Sequence, residues 1–483
     1  MSDTQNYSRR QFLKRTGQLA LTGAALPFAM NLAAIGEAAA FNAQAGDYKA
    51  LVCVFLKGGN DYANTVVPYD LTSYNKYYAS RSDIAHPRNA LSNTVLVPDQ
   101  IPLDSITNSP LQFALHPNLV DVANLFNSGN VAVQLNVGSL VTPLTLAQFK
   151  SADRITYPIP PHLGSHNDQS SFWLTGGPEG RVKGWGGKMG DLTPSSESLF
   201  TGLSLANDAV LLAGDSTAPF VINKKAGAMT VDATSGSPFG SSTLPSTILQ
   251  LIQPTVGNQM LENEYIRTTN RLLEGAQTVA SALQSEGDLA TQFRSDDLST
   301  QLHMVARLIK ARASLGNPRR QVFFVTLGSF DQHGNLLVNH GELMKALNDA
   351  LYSFYNGMVE LGLTNQVTTF TMSEFGRTLA SNGDGSDHGW GGHQLMIGGA
   401  VAGKNFYGMA PPISITTSSA PEDQWHTGGG RLLPSTSVAQ YAATLASWFG
   451  VTNAEMPSVV PYINNFGVGA GYPDYPWNLG FLG

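Results

Sequence analysis

The sequence predicts an α/β fold in which a central, mostly parallel sheet is sandwiched between helices. Two observations predict it. Short apolar runs rich in β-branched and aromatic residues recur along the chain, and their apolar character is nearly continuous, as is typical of strands buried on both faces. Segments with helical periodicity lie between these runs, and strands that alternate with helices favour a parallel sheet.

The predicted elements extend from residue 50 to the C-terminal region. The predicted strands are 50–56, 131–137, 321–327, 367–372 and 394–401. The predicted helices are 112–127, 259–284, 296–313, 341–361 and 437–449. The segment from about 192 to 258 is rich in Ser, Thr, Gly and Pro. We interpret it as an insertion or cap within a single domain that covers 41–483.

Residues 1–40 have the features of a twin-arginine signal peptide. The sequence SRRQFLK at 8–14 matches the pattern that the bacterial twin-arginine translocase recognises. An interrupted apolar stretch follows and ends in three alanines at 38–40, which suit signal peptidase. We therefore expect the translocase as a partner during export and a periplasmic or secreted mature protein without a stable membrane span. An uncleaved membrane anchor is the alternative.

Charge and cysteine content argue against several classes of protein. The whole chain has 28 basic and 35 acidic residues; without the four basic and two acidic residues of 1–40, the counts are 24 and 33, a net charge of −9. Such a surface gives no electrostatic reason to bind nucleic acid or anionic lipid. Cys53 is the only cysteine, so no intramolecular disulfide forms. Its apolar neighbours predict a small buried side chain.

Residues that can bind metal follow three of the predicted strands. Ligands of open α/β sheets bind beyond the carboxyl ends of the strands, so these residues are expected to converge. Carboxylates and neutral imidazoles are ligands of Zn²⁺, Mn²⁺ and related divalent ions. Each residue alone is also explained by a turn or a structural role, but together they predict a metal site. The candidate ligands are Asp61, Asp331, His333, Glu374, Asp387, His388 and His393.

A further segment places a hydroxyl beside an imidazole. Ser165 and His166 lie at what the sequence indicates is a helix start. In a functional interpretation, Ser165 is a nucleophile and His166 a metal ligand or an acid–base group. In a structural interpretation, Ser165 is a helix N-cap and His166 a surface residue. The sequence leaves both interpretations open.

Several motifs, taken with the leader, resemble the DUF1501 family of bacterial exported proteins. The resemblance covers essentially the whole mature chain, and the order and spacing of the motifs are specific. The family in turn resembles the alkaline phosphatase superfamily, which includes sulfatases and phosphoglycerate mutases. The motifs are FLKGGNDYANTVVPY at 55–69, ALHPNL at 114–119, GSHNDQ at 164–169, GSFDQH at 328–333, SEFGRT at 373–378 and DHGWGGHQLMIGG at 387–399.

The resemblance implies an alkaline phosphatase-like fold and one or two divalent metal ions (Zn, Mn, Mg or Ca). One implied site is Asp61, Asp387 and His388, with Glu374 as an alternative carboxylate. The other is Asp331, His333 and His393. Ser165 is the implied nucleophile. The sulfatase C-x-P-x-R element is absent, which excludes the formylglycine route.

The first functional hypothesis is an exported, metal-dependent hydrolase of phosphate or sulfate esters that acts on a small ester substrate. Arg377 is the candidate for stabilising charge that develops in the transition state. The alternative is a non-catalytic exported envelope or surface-binding protein that keeps the fold. A metal-dependent mutase or lyase is a third hypothesis, because a fold alone does not determine function.

Overall fold

The computed structural model describes residues 47–193, 199–206, 210–225, 227–228 and 260–483. The predicted signal peptide at 1–40 and much of the predicted insertion at 192–258 lie outside these ranges. Within the described ranges, no helix is both long enough and apolar enough to cross a membrane.

Strands and helices alternate along most of the chain. The strands are β1 Lys49–Leu56, β2 Val66–Pro68, β3 Phe113–Leu115, β4 Val131–Gly138, β5 Gly202–Ser204, β6 Phe220–Asn223, β7 Gly227–Ala228, β8 Arg320–Leu327, β9 Val367–Met372, β10 Arg377–Ser381, β11 Ser386–His388, β12 Gly392–Ile397, β13 Phe406–Tyr407 and β14 Thr436–Ser437. The α-helices are α1 Tyr62–Thr65, α2 Leu71–Ser80, α3 Val120–Asn127, α4 Leu146–Lys150, α5 His166–Thr175, α6 Trp185–Gly190, α7 Met260–Glu286, α8 Asp297–Lys310, α9 Leu336–Glu360, α10 Val438–Phe449 and α11 Met456–Val459.

The central sheet has the strand order β13-β4-β12-β9-β1-β8-β5-β6-β7, and β14 also pairs with β4. In its middle, β1 pairs in parallel with both β8 and β9. The predicted mostly parallel α/β sheet is therefore confirmed. An exception is β12, which is antiparallel to both β4 and β9.

Both faces of the sheet are covered, as the continuous apolar runs predicted. Along β1, Val52 and Val54 belong to one hydrophobic core, whereas Leu51 and Cys53 belong to the other. Helices α3, α7, α8 and α9 contribute to the first core, and α5, α6, α10 and α11 to the second. Cys53 is fully buried, as its apolar surroundings predicted.

Two predicted elements differ from the structure. The predicted helix at 112–127 is a short strand, β3, followed by α3, and Pro117 lies between them. Proline lacks the N–H that a continuous helix needs, and it disfavours helical geometry in the preceding residue. The predicted strand at 394–401 begins at Gly392 and ends at Ile397, because Gly398 has a φ of 156°.

Candidate metal centre

The loops after β1, β8 and β9 meet at one edge of the sheet, because these strands are parallel neighbours. Gly58, in the loop after β1, makes the contact possible. A Cβ atom there would lie 2.4 Å from the backbone nitrogen of Asp331, and its φ of 122° also favours glycine. Its N–H donates to Glu374 Oε1 at 2.8 Å. The loops are therefore locked together at this residue.

Asp331, in the loop after β8, lies at the centre of three imidazoles. Its Oδ1 is 3.0 Å from His333 Nε2 and 3.0 Å from His388 Nε2. Its Oδ2 is 3.3 Å from His166 Nε2. The Nε2 atoms of His333 and His388 are themselves 3.1 Å apart. Three of the residues, His166, Asp331 and His388, present ligand atoms that all lie within 4.8 Å of one another.

The far nitrogen of each imidazole has its own acceptor. His388 Nδ1 donates to the Gly164 carbonyl at 2.7 Å, which fixes the ring proton on Nδ1 because a carbonyl can only accept. His166 Nδ1 is 2.9 Å from Glu374 Oε1. His333 Nδ1 is 3.4 Å from Asp387 Oδ1. When a ring is neutral with its proton on Nδ1, the lone pair of its Nε2 is directed towards Asp331.

This donor set fits a divalent cation. A ring that is neutral with its proton on Nδ1 offers its Nε2 lone pair to a cation, whereas a ring with a proton on Nε2 would donate it to Asp331. Histidine ligands of metals usually donate their other ring N–H to a carboxylate or a backbone carbonyl, which is the arrangement found around these three rings. Glu374, which the sequence suggested as a ligand, is instead the acceptor that orients His166. Its Oε2 is buried and has no hydrogen-bond partner among the described residues.

Two ionisable groups in the cluster have shifted pKa values. The hydrogen bond from His166 to Glu374, with the negative charges of Glu374 and Asp331, raises the pKa of His166 above its ordinary value. Partial burial would raise the pKa of Asp331, but hydrogen bonds and charge from Arg377 and His388 outweigh it and lower that pKa to about 2. The carboxylate of Asp331 is therefore ionised at neutral pH.

Arg377 is completely buried and holds Asp331 in place. Its Nη1 donates to Asp331 Oδ1 at 3.0 Å and to the Gly58 carbonyl at 3.2 Å. Its Nε donates to the carbonyl and the hydroxyl of Ser386, both at 3.1 Å, and its Nη2 donates to the same carbonyl. Because every nitrogen is engaged and shielded, the geometry gives Arg377 a role in positioning Asp331.

Asp61 lies outside the imidazole cluster. Its two oxygens accept from Arg81 Nη1 at 2.8 Å and Nη2 at 2.5 Å. It also caps α1 by accepting from the N–H of Asn64 at 3.0 Å, and it accepts from Ser386 Oγ at 3.1 Å. A guanidinium thus neutralises the carboxylate for which the resemblance implied a metal, so the geometry gives Asp61 a structural role.

His393 and Asp387 also differ from their implied roles. His393 Nδ1 accepts from the N–H of Asn136 at 3.1 Å, and its ring packs edge-on against Tyr62. Burial lowers the pKa of His393 to about 4, so it is neutral. It lines a separate cavity of about 50 Å³. Asp387 contacts His333 and accepts from Asn382 Nδ2 at 2.9 Å, so it supports a candidate ligand from outside.

The structure separates the two interpretations of Ser165 and His166. Ser165 is the N-cap of α5: it accepts from the N–H of Asp168 at 3.4 Å and its hydroxyl donates to Asp168 Oδ2 at 2.8 Å. This is the structural interpretation. His166, the first residue of α5, points into the cluster and packs against the buried ring of Phe375. This agrees with the functional interpretation.

A cleft of about 360 Å³ opens beside the cluster. Its lining includes two residues that the sequence analysis did not identify, Thr427 and Arg431. Both belong to a glycine-rich loop that follows no predicted strand. The sequence analysis looked for site residues only directly after predicted strands and therefore missed them. The run GGGR at 428–431 was the sequence feature that could have indicated this loop. The lining residues are Leu163, Gly164, His333, Asp387, His388, Gly389, Trp390, Thr427 and Arg431.

Fold and site together define an α/β protein with a histidine–carboxylate cluster at the carboxyl ends of its parallel strands. The chain belongs to the DUF1501 family, described as "Protein of unknown function (DUF1501)", whose family model matches residues 48–456. The family membership that the motifs predicted is therefore confirmed.

Two solved structures show low similarity to the chain. One is Ps i-CgsB in complex with k-i-k-neocarrahexaose, with 10% identity and a TM-score of 0.34 over 87% of this chain and 77% of that chain. The other is the lipoteichoic acid synthase LtaP from Listeria monocytogenes, with 11% identity and a TM-score of 0.31 over 90% of this chain and 81% of that chain. TM-scores this low do not establish a shared reaction. No curated protein matches the chain.

Proposed function

We propose that this protein is a hydrolase of phosphate or sulfate esters that depends on one divalent cation. The residues that would hold the cation are Asp331, His166, His333 and His388. The observation that carries the proposal is the common orientation of the three rings: each Nε2 faces Asp331, and each Nδ1 has an acceptor outside the cluster.

The donor set favours some cations over others. Imidazole suits Zn²⁺ and other transition metals, whereas Mg²⁺ and Ca²⁺ prefer oxygen ligands. Three histidines around one carboxylate therefore support Zn²⁺ or Mn²⁺ more than Mg²⁺ or Ca²⁺. A single cation is proposed because the carboxylate implied for a second one, Asp61, is paired with Arg81.

A bound divalent cation would supply Lewis-acid chemistry, polarising an ester oxygen and making water more acidic. The chain supplies orientation. Arg377 fixes Asp331, Glu374 fixes His166, and the Gly164 carbonyl fixes His388. About 43% of the Asp331 side chain and 36% of the His166 side chain remain exposed, which supports access for substrate and water from the cleft.

Water is the proposed nucleophile. The hydroxyl of Ser165 is bonded to Asp168, in the same turn of α5, and no imidazole contacts it among the described residues. Activation of a serine needs an adjacent base or direct coordination to a metal. Ser165 is hydrogen-bonded to the Asp168 carboxylate within its own helix turn and to none of the three imidazoles, so the proposal departs from the nucleophile that the resemblance implied.

The test combines metal analysis with turnover of para-nitrophenyl phosphate and para-nitrophenyl sulfate. Protein purified without chelator should contain about one divalent metal per chain, and Asp331→Asn should lose both the metal and the turnover. Asp99→Asn, which changes an exposed carboxylate paired with Lys404, is the matched control and should retain both. Wild-type protein without metal would refute the cation site. Metal-loaded protein without turnover of a broad ester panel would favour the non-catalytic alternative.

Export by the twin-arginine translocase is part of the proposal, and the SRRQFLK sequence at 8–14 supports it. Replacing Arg9 and Arg10 together by lysine should leave full-length precursor in the cytoplasm. Fractionation and immunoblotting of the native host would measure this. Unchanged export of the double variant would contradict the twin-arginine route.

A further inference from the structure

Arg431 presents a guanidinium to the cleft beside the imidazole cluster. Its Nε donates to the backbone carbonyl of His388 at 2.9 Å, and its Nη1 donates to the carbonyl of Gly428 at 3.4 Å. Neither acceptor carries a charge. Among the described residues, Arg431 forms no ion pair with a carboxylate, although the charge of Arg431 contributes to lowering the pKa of Asp387. The cation is thus fixed in position while its charge remains unpaired.

The backbone around Arg431 is shaped to hold it there. Gly428, Gly429 and Gly430 have φ values of 115°, 59° and 70°, which side chains rarely allow. The turn closes with hydrogen bonds from Thr427 N to Arg431 O at 2.9 Å and from Arg431 N to Gly428 O at 3.1 Å. The Arg431 side chain is therefore ordered before any ligand binds, which reduces the entropic cost of binding.

Arg431 differs in this respect from Arg377, the other arginine close to the cluster. Arg377 is fully buried and its nitrogens contact Asp331, Ser386 and the Gly58 carbonyl. Arg431 is partly exposed and lines the same cleft as His333 and His388. A fixed guanidinium with free donors matches the oxygens of phosphate-like and sulfate-like groups.

We propose that Arg431 is a specificity-determining residue whose guanidinium binds an oxyanion group of the substrate, as found in sulfate and phosphate esters. This inference rests on the proposed function, because it assumes that the cleft is the substrate site. It also locates the local positive charge that an otherwise acidic protein needs to attract an anion.

Isothermal titration of the metal-loaded protein at pH 8 tests this inference. The probes are methyl sulfate and dimethyl phosphate, which carry one negative charge, and methyl phosphate, which carries close to two. Wild-type protein should bind at least one of these probes. Arg431→Met should weaken that binding by about tenfold to a hundredfold, and Arg431→Lys, which keeps the charge but loses the planar fork, should weaken it less.

Arg312→Met is the matched control. Arg312 also donates to a backbone carbonyl, that of Ile309 at 3.0 Å, but it stacks over Tyr48, next to the amino end of β1 and away from the cleft. Its loss should leave probe binding unchanged. Melting temperatures of all variants show whether they are folded, and Arg431→Lys supplies the comparison if Arg431→Met is not.

The inference is overturned if Arg431→Met binds the probes as tightly as wild type, or if no probe binds. These outcomes are distinct from failure of the hydrolase proposal. Binding that depends on Arg431 in a protein that hydrolyses no ester would sustain this inference and refute the hydrolase. Ester hydrolysis that Arg431→Met leaves unchanged would sustain the hydrolase proposal and refute this inference.

Discussion

Asp61 and Asp331 follow neighbouring parallel strands, yet their surroundings are opposite. Asp61 is 1% exposed and forms a two-point ion pair with Arg81. Asp331 is 43% exposed and faces three imidazoles. A position after a strand brings a carboxylate to the ligand-binding edge of the sheet, but the neighbouring side chains decide its role. A buried guanidinium gives a structural carboxylate, whereas converging imidazoles give a candidate metal ligand.

The sharpest way to test this contrast is to neutralise each aspartate by the same isosteric change. Asp61→Asn should lower the free energy of unfolding by about 3–5 kcal/mol, because it leaves the fully buried charge of Arg81 without its partner. Asp331→Asn should cost clearly less in metal-free protein, because Arg377 keeps its bonds to Ser386 and Gly58. Urea denaturation of both variants measures the difference. Equal losses of unfolding free energy in the two variants would contradict the proposed difference between the surroundings of Asp61 and Asp331.

Acid should destabilise the Asp61 region through its buried histidines. Burial lowers the pKa values of His86 and His340 to about 4, and that of His116 well below its ordinary value. Asp61 partly offsets this effect at His86 and His340, and Arg81 adds to it. Between the ordinary histidine pKa of 6.5 and about 4, the unfolded chain binds more protons than the folded chain, so stability falls as pH falls.

This pH dependence can be measured by urea denaturation from pH 7 to pH 4, with metal-free protein so that metal release does not contribute. His340→Asn should flatten the slope, because one buried site no longer takes up a proton on unfolding. His303→Asn, at a partly exposed histidine that contacts Asp288 on the surface, is the control and should retain the slope. A slope unchanged by His340→Asn would show that these histidines do not carry the acid sensitivity.

At the open cluster, the expected effects are on metal affinity. Glu374→Gln removes the negative charge that orients His166 and favours its Nδ1 proton, and should weaken metal binding by about tenfold to a hundredfold. Competition with a chelating dye measures the affinity. Glu360→Gln is the control. It changes a carboxylate at the last residue of α9, which accepts from the N–H of Thr291, and should leave the metal affinity unchanged. If Glu374→Gln also binds metal normally, His166 is not held as a ligand by this contact.

The smallest effect is expected at Ser165. Ser165→Ala removes the N-cap of α5 and should cost about 1 kcal/mol of stability. Metal content should stay the same, and turnover of any ester that wild-type protein hydrolyses should stay within about twofold. Loss of turnover with normal metal content would instead make Ser165 the nucleophile.

The sequence predicted the sheet well because burial on both faces leaves a continuous apolar run. The predicted strand 367–372 is observed with the same limits, and 321–327 begins one residue earlier, at Arg320. The reversed direction of β12 was not predictable, because a buried run has the same pattern in either direction. The helix predicted at 112–127 failed at Pro117, a local signal that the apolar periodicity concealed.

The sequence predicted only those residues of the site that follow predicted strands. Asp331, His333 and His388 do converge, and Glu374 lies beside them as an orienting group. The sequence could not show that Asp61 has a structural role. Its partner Arg81 follows 20 residues later, at the C-terminal end of a helix, where no pattern links the two. The roles of Arg377 and Ser165 depended on three-dimensional contacts that residue spacing does not encode.

The position of β1 at the centre of the sheet has a consequence for biosynthesis. The strand is made early, but Lys49 pairs with Arg320, 271 residues later, and Ala50 with Val367. Pairing across such distances is slow and leaves apolar strands uncovered until synthesis is nearly complete. The ribosome must therefore release almost the whole chain before the innermost strand acquires its neighbours. During that interval, the apolar strands and the candidate ligand residues that follow them are not yet brought together.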